Sequence, residues 1–397
     1  MTDSRSAGPP EHDRGPRVFV SGIAPCRARH PPAATRRWAC GAGKGGCLLR
    51  PLLLVAISAA GVLLGAETAR AQDSRTVVDD AGRRVEVPAT LERVLPAGPL
   101  GTILLYTLAR DVLPGWYRPL TLDERAFIPE RYADLPALGK LTGRNNVPDM
   151  DVVRSARADL IFDYGPITPA YVVLAERVTK ETGVPYLLLD GGLSSIPRVY
   201  TVLGGLLGVR ERASRLAQSA ERVLADVDAR VARVPVDRRP RVYYARGPKG
   251  LETEVIESLD RLGTRNVASD RIERGPLVSV TLEDVVGWNP DVIVTIHPGF
   301  FAAVQADPGW RAIKAIQDGR VYLAPLLPFA WLDLPPSVNR LIGLKWLGKM
   351  LYPDVFTDDL RKDAQEFYSL FYQHALAPAQ LDALTQPRKR AERCTSC

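Results

Sequence analysis

Two short stretches, one in each half of the chain, follow the same plan, and this repetition constrains the fold more than any other feature. Met150-Asp151-Val152-Val153 precedes Asp159-Leu160-Ile161-Phe162 by nine residues, and Leu282-Glu283-Asp284-Val285 precedes Asp291-Val292-Ile293-Val294 by the same nine. Each pair reads as a short helix, a turn and a compact apolar strand of the kind parallel sheets bury on both faces. Parallel strands need crossover connections, so one such unit in each half predicts two Rossmann-like α/β lobes.

The flanking patterns extend this reading. Arg75 to Pro88 reads as a β-hairpin, with Asp80-Ala81-Gly82 as turn chemistry between two β-branched runs. Gly101–Ala109 and Ala170–Thr182 read as helices, the second closed by Gly183; Val112–Gly115 and Tyr186–Leu189 read as strands. From Arg198 to Val234, apolar residues such as Leu203, Leu206, Leu216, Ala220, Leu224 and Val227 recur at three- and four-residue steps. That is one long amphipathic helix, or two helices broken at Gly208, stopped by Pro235 and Pro240. A second alternation follows: strand Arg241–Ala245, helix Thr253–Leu262, strand Val292–Thr295, a helix near Gly309–Ile316, strand Val321–Leu323, and then mostly helix from Ser337 to Gln373. The expected divisions are a leader (1–71), an N-terminal lobe (72–197), a connector helix (198–237), a C-terminal lobe (238–375) and a basic tail (376–397).

The formal charge of +7 would suit a nucleic-acid partner, but its distribution removes that reading. Residues 1–71 hold ten Lys or Arg and four Asp or Glu, which leaves 42 basic and 41 acidic groups downstream. The leader has the order of a secretory signal: Arg36, Arg37, Lys44 and Arg50, then uncharged Pro51–Ala66, then Ala69-Arg70-Ala71 before a mature start near Gln72. The apolar run is about 16 residues, short of the roughly 20 that a spanning helix needs, so a periplasmic mature protein is expected. Cys26, Cys40 and Cys47 fall in the leader; Cys394 and Cys397 form a C-x-x-C at the far end without the neighbours a redox or metal site requires.

In α/β sheets, ligands sit beyond the carboxyl ends of the strands. That rule selects five loops. They contain Trp116, Tyr117 and Arg118; Tyr164; Arg246; His297; and Phe329 with Trp331. Arg144, in T-G-R-N-N, is a further candidate. The chemistry is aromatic plus cationic, which suits an anionic, partly aromatic chelate. Trp116 and Trp331 serve equally well as lobe packing. His297 is either a metal or chelate ligand or a structural histidine bonded to backbone. Downstream of the leader the only histidines are His297 and His374, 77 positions apart, too few for a bare Zn²⁺ or Mn²⁺ cage. A metal that arrives already chelated is therefore preferred.

The ordered set of motifs closely resembles the iron-siderophore and cobalamin (class III) periplasmic binding proteins of ABC importers. It comprises T-V-V-D-D-A-G-R-R-V-E-V-P, L-E-R-V-L, T-G-V-P-Y-L-L-L-D, N-P-D-V-I-V, D-G-R-V-Y, P-P-S-V-N-R-L-I-G-L-K-W-L and L-Y-P-D-V-F, spanning residues 75 to 375. The resemblance implies two lobes joined by one long helix, small hinge motion, and a ligand between the lobes. It implies a ferric siderophore first, with cobalamin, haem or another iron or cobalt chelate as alternatives, and no intrinsic cofactor. It further implies a monomer that docks on a permease and its ATPase subunits through one acidic residue per lobe. Glu252, Glu254 and Glu257 are the candidates in the second lobe; Asp123, Glu124 and Glu130 are those in the first. No G-x-S-x-G, H-E-x-x-H, phosphate-binding glycine loop or Cys–His pair points to an enzyme. A ligand sensor or a chelate-processing enzyme on the same fold are the other readings.

Overall fold

The computed structural model describes residues 73–143, 148–269 and 277–386. The expected leader and signal segment, Arg144 and the Cys394/Cys397 pair lie outside these residues. Strands β1 (Ser74–Val78) and β2 (Arg84–Pro88) form the expected hairpin, with Val77 opposite Val85 and Gly82 at φ 76° in the turn. The buried Asp79 carboxylate docks the hairpin: it accepts from Ala81 N, Arg83 N and the Arg83 guanidinium, and from Leu188 N across the lobe.

The first lobe holds a parallel sheet ordered β3 (Val94–Pro96), β4 (Leu160–Gly165), β5 (Tyr186–Asp190). The second holds β6 (Arg241–Ala245), β8 (Arg265–Asn266), β10 (Val292–Thr295) and β11 (Val321–Leu323), ordered β11-β10-β6-β8 and all parallel. A small antiparallel pair, β7 (Glu252–Thr253) and β9 (Val278–Ser279), lies beside it. Both lobes are therefore α/β units, as the repeated motif predicts.

The motif has a physical cause. Helices Met150–Ala156 and Leu282–Trp288 are capped at their starts by the side chains of Asp149 and Thr281, and both end on a left-handed residue, Arg157 at φ 48° and Asn289 at φ 44°. The aspartate after each turn then repeats one task. Asp159 accepts from Arg93 N at 2.8 Å, and Asp291 accepts from Arg241 N at 2.9 Å, while each aspartate's own N–H donates to the same residue's carbonyl. Each carboxylate thereby sets the start of a neighbouring parallel strand, β3 or β6.

The connector is two helices, Ile196–Leu206 and Arg210–Val231, broken at Gly208 with φ 71°. They cross closely at Gly204, where a Cβ would lie 2.1 Å from the Ala213 methyl. The buried stripe Leu216, Ala220, Leu224, Val227 and Val231 is the one the periodicity predicts. The largest core cluster runs from Leu160 and Phe162 of the first sheet through this stripe to Val242 and Val294 of the second; each lobe also has a smaller core on its outer face.

Several expected elements differ. Residues 110–112 are one 3₁₀ turn, and Trp116 makes only a single bridge to Ala137, because Gly115 packs against the Pro136 carbonyl. The expected helix Thr253–Leu262 is β7 followed by helix Glu257–Arg261, and the one near Gly309–Ile316 is a 3₁₀ turn followed by helix Lys314–Gln317. The expected tail begins with a helix, Pro378–Thr385, that buries Leu381 and Leu384. No helix among the described residues is long and apolar enough to cross a membrane.

Candidate functional site

The carboxyl ends of β4 and β5 open onto a cleft of about 410 Å³ between the lobes. Gly165 and Pro166 at the end of β4, and Asp190, Gly191 and Gly192 at the end of β5, form one wall. Residues Glu254–Ser258, Leu332, Asp333, Pro336 and Arg340 form the other. The two strand ends come so close that a Cβ on Gly191 would sit 2.7 Å from the Gly165 Cα. Glycine at 191 therefore exposes backbone to the cleft, and the Gly191 carbonyl accepts from Arg340 at 2.7 Å.

Arg340 is buried and joins the lobes. Its guanidinium donates to Glu257 at 2.7 Å as well as to Gly191 O and Ser337 O, and Glu257 accepts from Leu193 N of the first lobe at 2.7 Å. Arg246, also buried, pairs with Asp333 at 2.6 Å and with Glu254. Tyr164 points inward from β4 among Arg340, Asp190 and Glu257. Burial pushes its hydroxyl up to about 12, although the adjacent guanidinium pulls the other way. That hydroxyl and Ser258 Oγ, which lines the cleft, are buried without a hydrogen-bond partner among the described residues.

These placements revise several candidate residues. Tyr164 lies inside β4, which runs on to Gly165, rather than in a loop. Trp116, Phe329 and Trp331 belong to an aromatic seam in the core. Trp116 stacks between Tyr106 (5.3 Å) and Phe329 (5.7 Å) and donates to Tyr132 O; Trp331 donates to Tyr368 OH at 2.9 Å. All three are at most 2 % exposed, so none presents a face to a ligand. Tyr117 is half-buried beneath the Arg118 guanidinium, outside the cleft wall. His297 caps helix Pro298–Val304, with Nδ1 accepting from Phe300 N at 3.4 Å, and lies outside the cleft wall. The described residues contain no group of three His, Cys, Asp or Glu able to hold a metal ion.

Glu254 and Glu257, expected at a docking surface, line the cleft instead, and Glu252 pairs by backbone with Arg246. Glu124 of the first lobe is buried in a capping box and bound by Arg118, while Asp123 and Glu130 stay solvent-accessible. Arg246 sits behind the wall through its two carboxylates. Sequence reasoning missed Arg340, Asp190, Ser258 and Asp333. Arg340 falls within P-P-S-V-N-R-L and Asp190 ends Y-L-L-L-D, so both lay in quoted motifs without a signal for their direction.

One buried acid near this wall has a pH consequence. Among the described residues, Asp163 of β4 has only the Thr142 and Tyr186 hydroxyls as partners, at 3.4 and 3.5 Å, and burial pushes its carboxyl up to about 6 from 3.8. The folded state thus keeps a proton that the unfolded chain releases. Stability should fall as pH rises from about 4 to about 6 and stay reduced above, a cost of about 3 kcal/mol at pH 7. Asp163→Asn should therefore raise the urea midpoint at pH 7 and leave it unchanged below pH 4; an unchanged midpoint at pH 7 would contradict the assignment.

The periplasmic binding protein family profile matches residues 175–326. An ABC transporter solute-binding protein from Sulfurospirillum deleyianum superposes with a TM-score of 0.72 at 28% identity, over 78% of this chain and 98% of that one. Over residues 175–326 the chain is thus similar to the periplasmic binding protein family. The molybdate-binding protein MolA of Haemophilus influenzae is 33% identical over 170 residues, 41% of this chain and 47% of MolA. The ABC transporter substrate-binding lipoprotein YvrC of Bacillus subtilis is 26% identical over 230 residues, 53% of this chain and 69% of YvrC. The match to MolA thus spans about half of that relative's length. The family match straddles the connector and covers β5 through β11, so it includes Asp190, Glu254 and Glu257 but ends before Arg340.

Proposed function

We propose that the chain is the substrate-binding component of an ABC importer, holding a small solute between its lobes outside the cytoplasm and delivering it to a membrane permease driven by ATPase subunits. The observation that carries this reading is the cleft itself. It lies at the carboxyl ends of β4 and β5, is closed on its other side by the second lobe, and offers the buried Ser258 hydroxyl and the buried Arg340 guanidinium. The family match over residues 175–326 supports it, and the relatives' names describe binding proteins.

The ligand is a chelated metal, such as an iron or cobalt complex. Small-molecule sites run from about 300 to 1,000 Å³, and this cleft falls in that range, whereas a bare ion or a tetrahedral oxyanion would fill little of it. A second reading is a molybdate-like oxyanion, favoured by the resemblance to MolA. Calorimetric titration with ferric hydroxamates, cobalamin, haem and molybdate separates the two. Saturable binding of an intact chelate without turnover is expected; saturation by molybdate alone would replace the chelate with the oxyanion, and product formation would point to an enzyme.

A further inference from the structure

We propose that this cleft selects a positively charged complex over neutral or anionic ones; the inference rests on reading the cleft as the ligand site. Asp190, Glu254, Glu257 and Asp333 line it, and Arg340 is the one cationic side chain in its wall among the described residues. Arg340 is matched by Glu257. Arg246, behind the wall, carries one charge against both Glu254 and Asp333. Asp190 is held by the neutral donors Gly192 N and Ser195 Oγ, so its charge is not cancelled by a cation. Arg198, which also feels Asp190, is itself held by Asp80 through hydrogen bonds of 2.8 and 2.6 Å. Two negative charges therefore remain in a space walled by Leu100, Pro166, Ile256, Leu332 and Pro336, where low polarizability strengthens their field.

A second feature points to a ligand at the same place. Ser258 Oγ faces the cleft, is buried, and has no hydrogen-bond partner among the described residues. It can accept from a protonated amine or coordinated water on a bound complex, or donate to its oxygens. An anion, by contrast, would have to draw Arg340 or Arg246 away from carboxylates that already hold them.

The test is a calorimetric charge series at low and high salt. It uses ferrioxamine B with its free ammonium, neutral ferrichrome and cobalamin, and anionic ferric dicitrate and molybdate. At low salt the cationic complex should bind most tightly, by on the order of tenfold over the neutral ones, with the margin shrinking in high salt. Glu254→Gln removes one charge while leaving the Arg246–Asp333 pair intact, and should narrow the margin. Asp190→Asn, whose carboxamide oxygen still accepts from Gly192 and Ser195, should do the same and serves if the first variant does not fold. Tightest binding of a neutral or anionic compound would overturn the charge preference and leave the binding-protein reading standing. A cationic preference unmoved by both variants would overturn the role given to these carboxylates. Binding of none of the compounds would overturn the chelate reading and this inference together.

Discussion

Gly343→Val is expected to destabilise the protein by about 4 kcal/mol or more, seen as a lower denaturant midpoint with an unchanged slope. A Cβ at position 343 would lie 1.9 Å from the Trp331 carbonyl oxygen and 2.8 Å from its carbon. Both are backbone atoms, so no rotamer change relieves the clash. Helix Arg340–Leu351 would have to move off the segment that carries Trp331 and Phe329, and that shift would open the aromatic seam around Trp116. Gly343→Ala already places the offending atom and should show most of the loss. Gly205→Ala is the matched control: it is also helical and has nothing within 4 Å of an added Cβ, so it should be neutral or slightly stabilising. Equal midpoints for the two alanine variants would refute the packing account.

Arg246→Ala should cost about 3–5 kcal/mol for an electrostatic reason rather than a steric one. Its guanidinium is the shared counter-charge of Glu254 and Asp333, whose side chains are 18% and 10% exposed. Removing it leaves two carboxylates facing each other with little water to screen them. Their repulsion has a signature that lost packing lacks. Adding Glu254→Gln and Asp333→Asn to Arg246→Met should restore much of the stability, because the group then carries no charge. If the triple variant were no more stable than Arg246→Ala, the loss would belong to the volume of the arginine and not to its charge. Arg246→Lys keeps the charge but loses the fork that reaches both carboxylates, so an intermediate loss is expected.

The α/β architecture was legible in the residues because it rests on short-range rules. Asp149 and Thr281 each cap a helix through backbone N–H groups two or three residues on, and Arg157 and Asn289 close those helices, so the same pattern recurs at the same spacing. The hairpin turn at Asp80-Ala81-Gly82, the break at Gly208 and the apolar stripe of the connector likewise follow from backbone freedom and helical period. The cap made by His297 was within reach too, since Nδ1 meets a backbone N–H only three residues on and Pro298 opens the helix.

The cleft was not legible in the same way. An aromatic residue after a strand reads alike whether it turns toward a ligand or into a core. Trp116, Phe329 and Trp331 went inward because Trp116 and Phe329 meet from opposite halves of the chain and Tyr368 receives the Trp331 indole. Arg340 looks like any arginine opening a helix until Gly191 and Glu257, 149 and 83 residues away in sequence, are brought to it. Two α/β lobes and the helices between them could be read from the residues because helix caps, turns and hydrophobic periods act over a few residues. Which side chains meet in the cleft could not be read from the residues, because it depends on where independently formed elements converge.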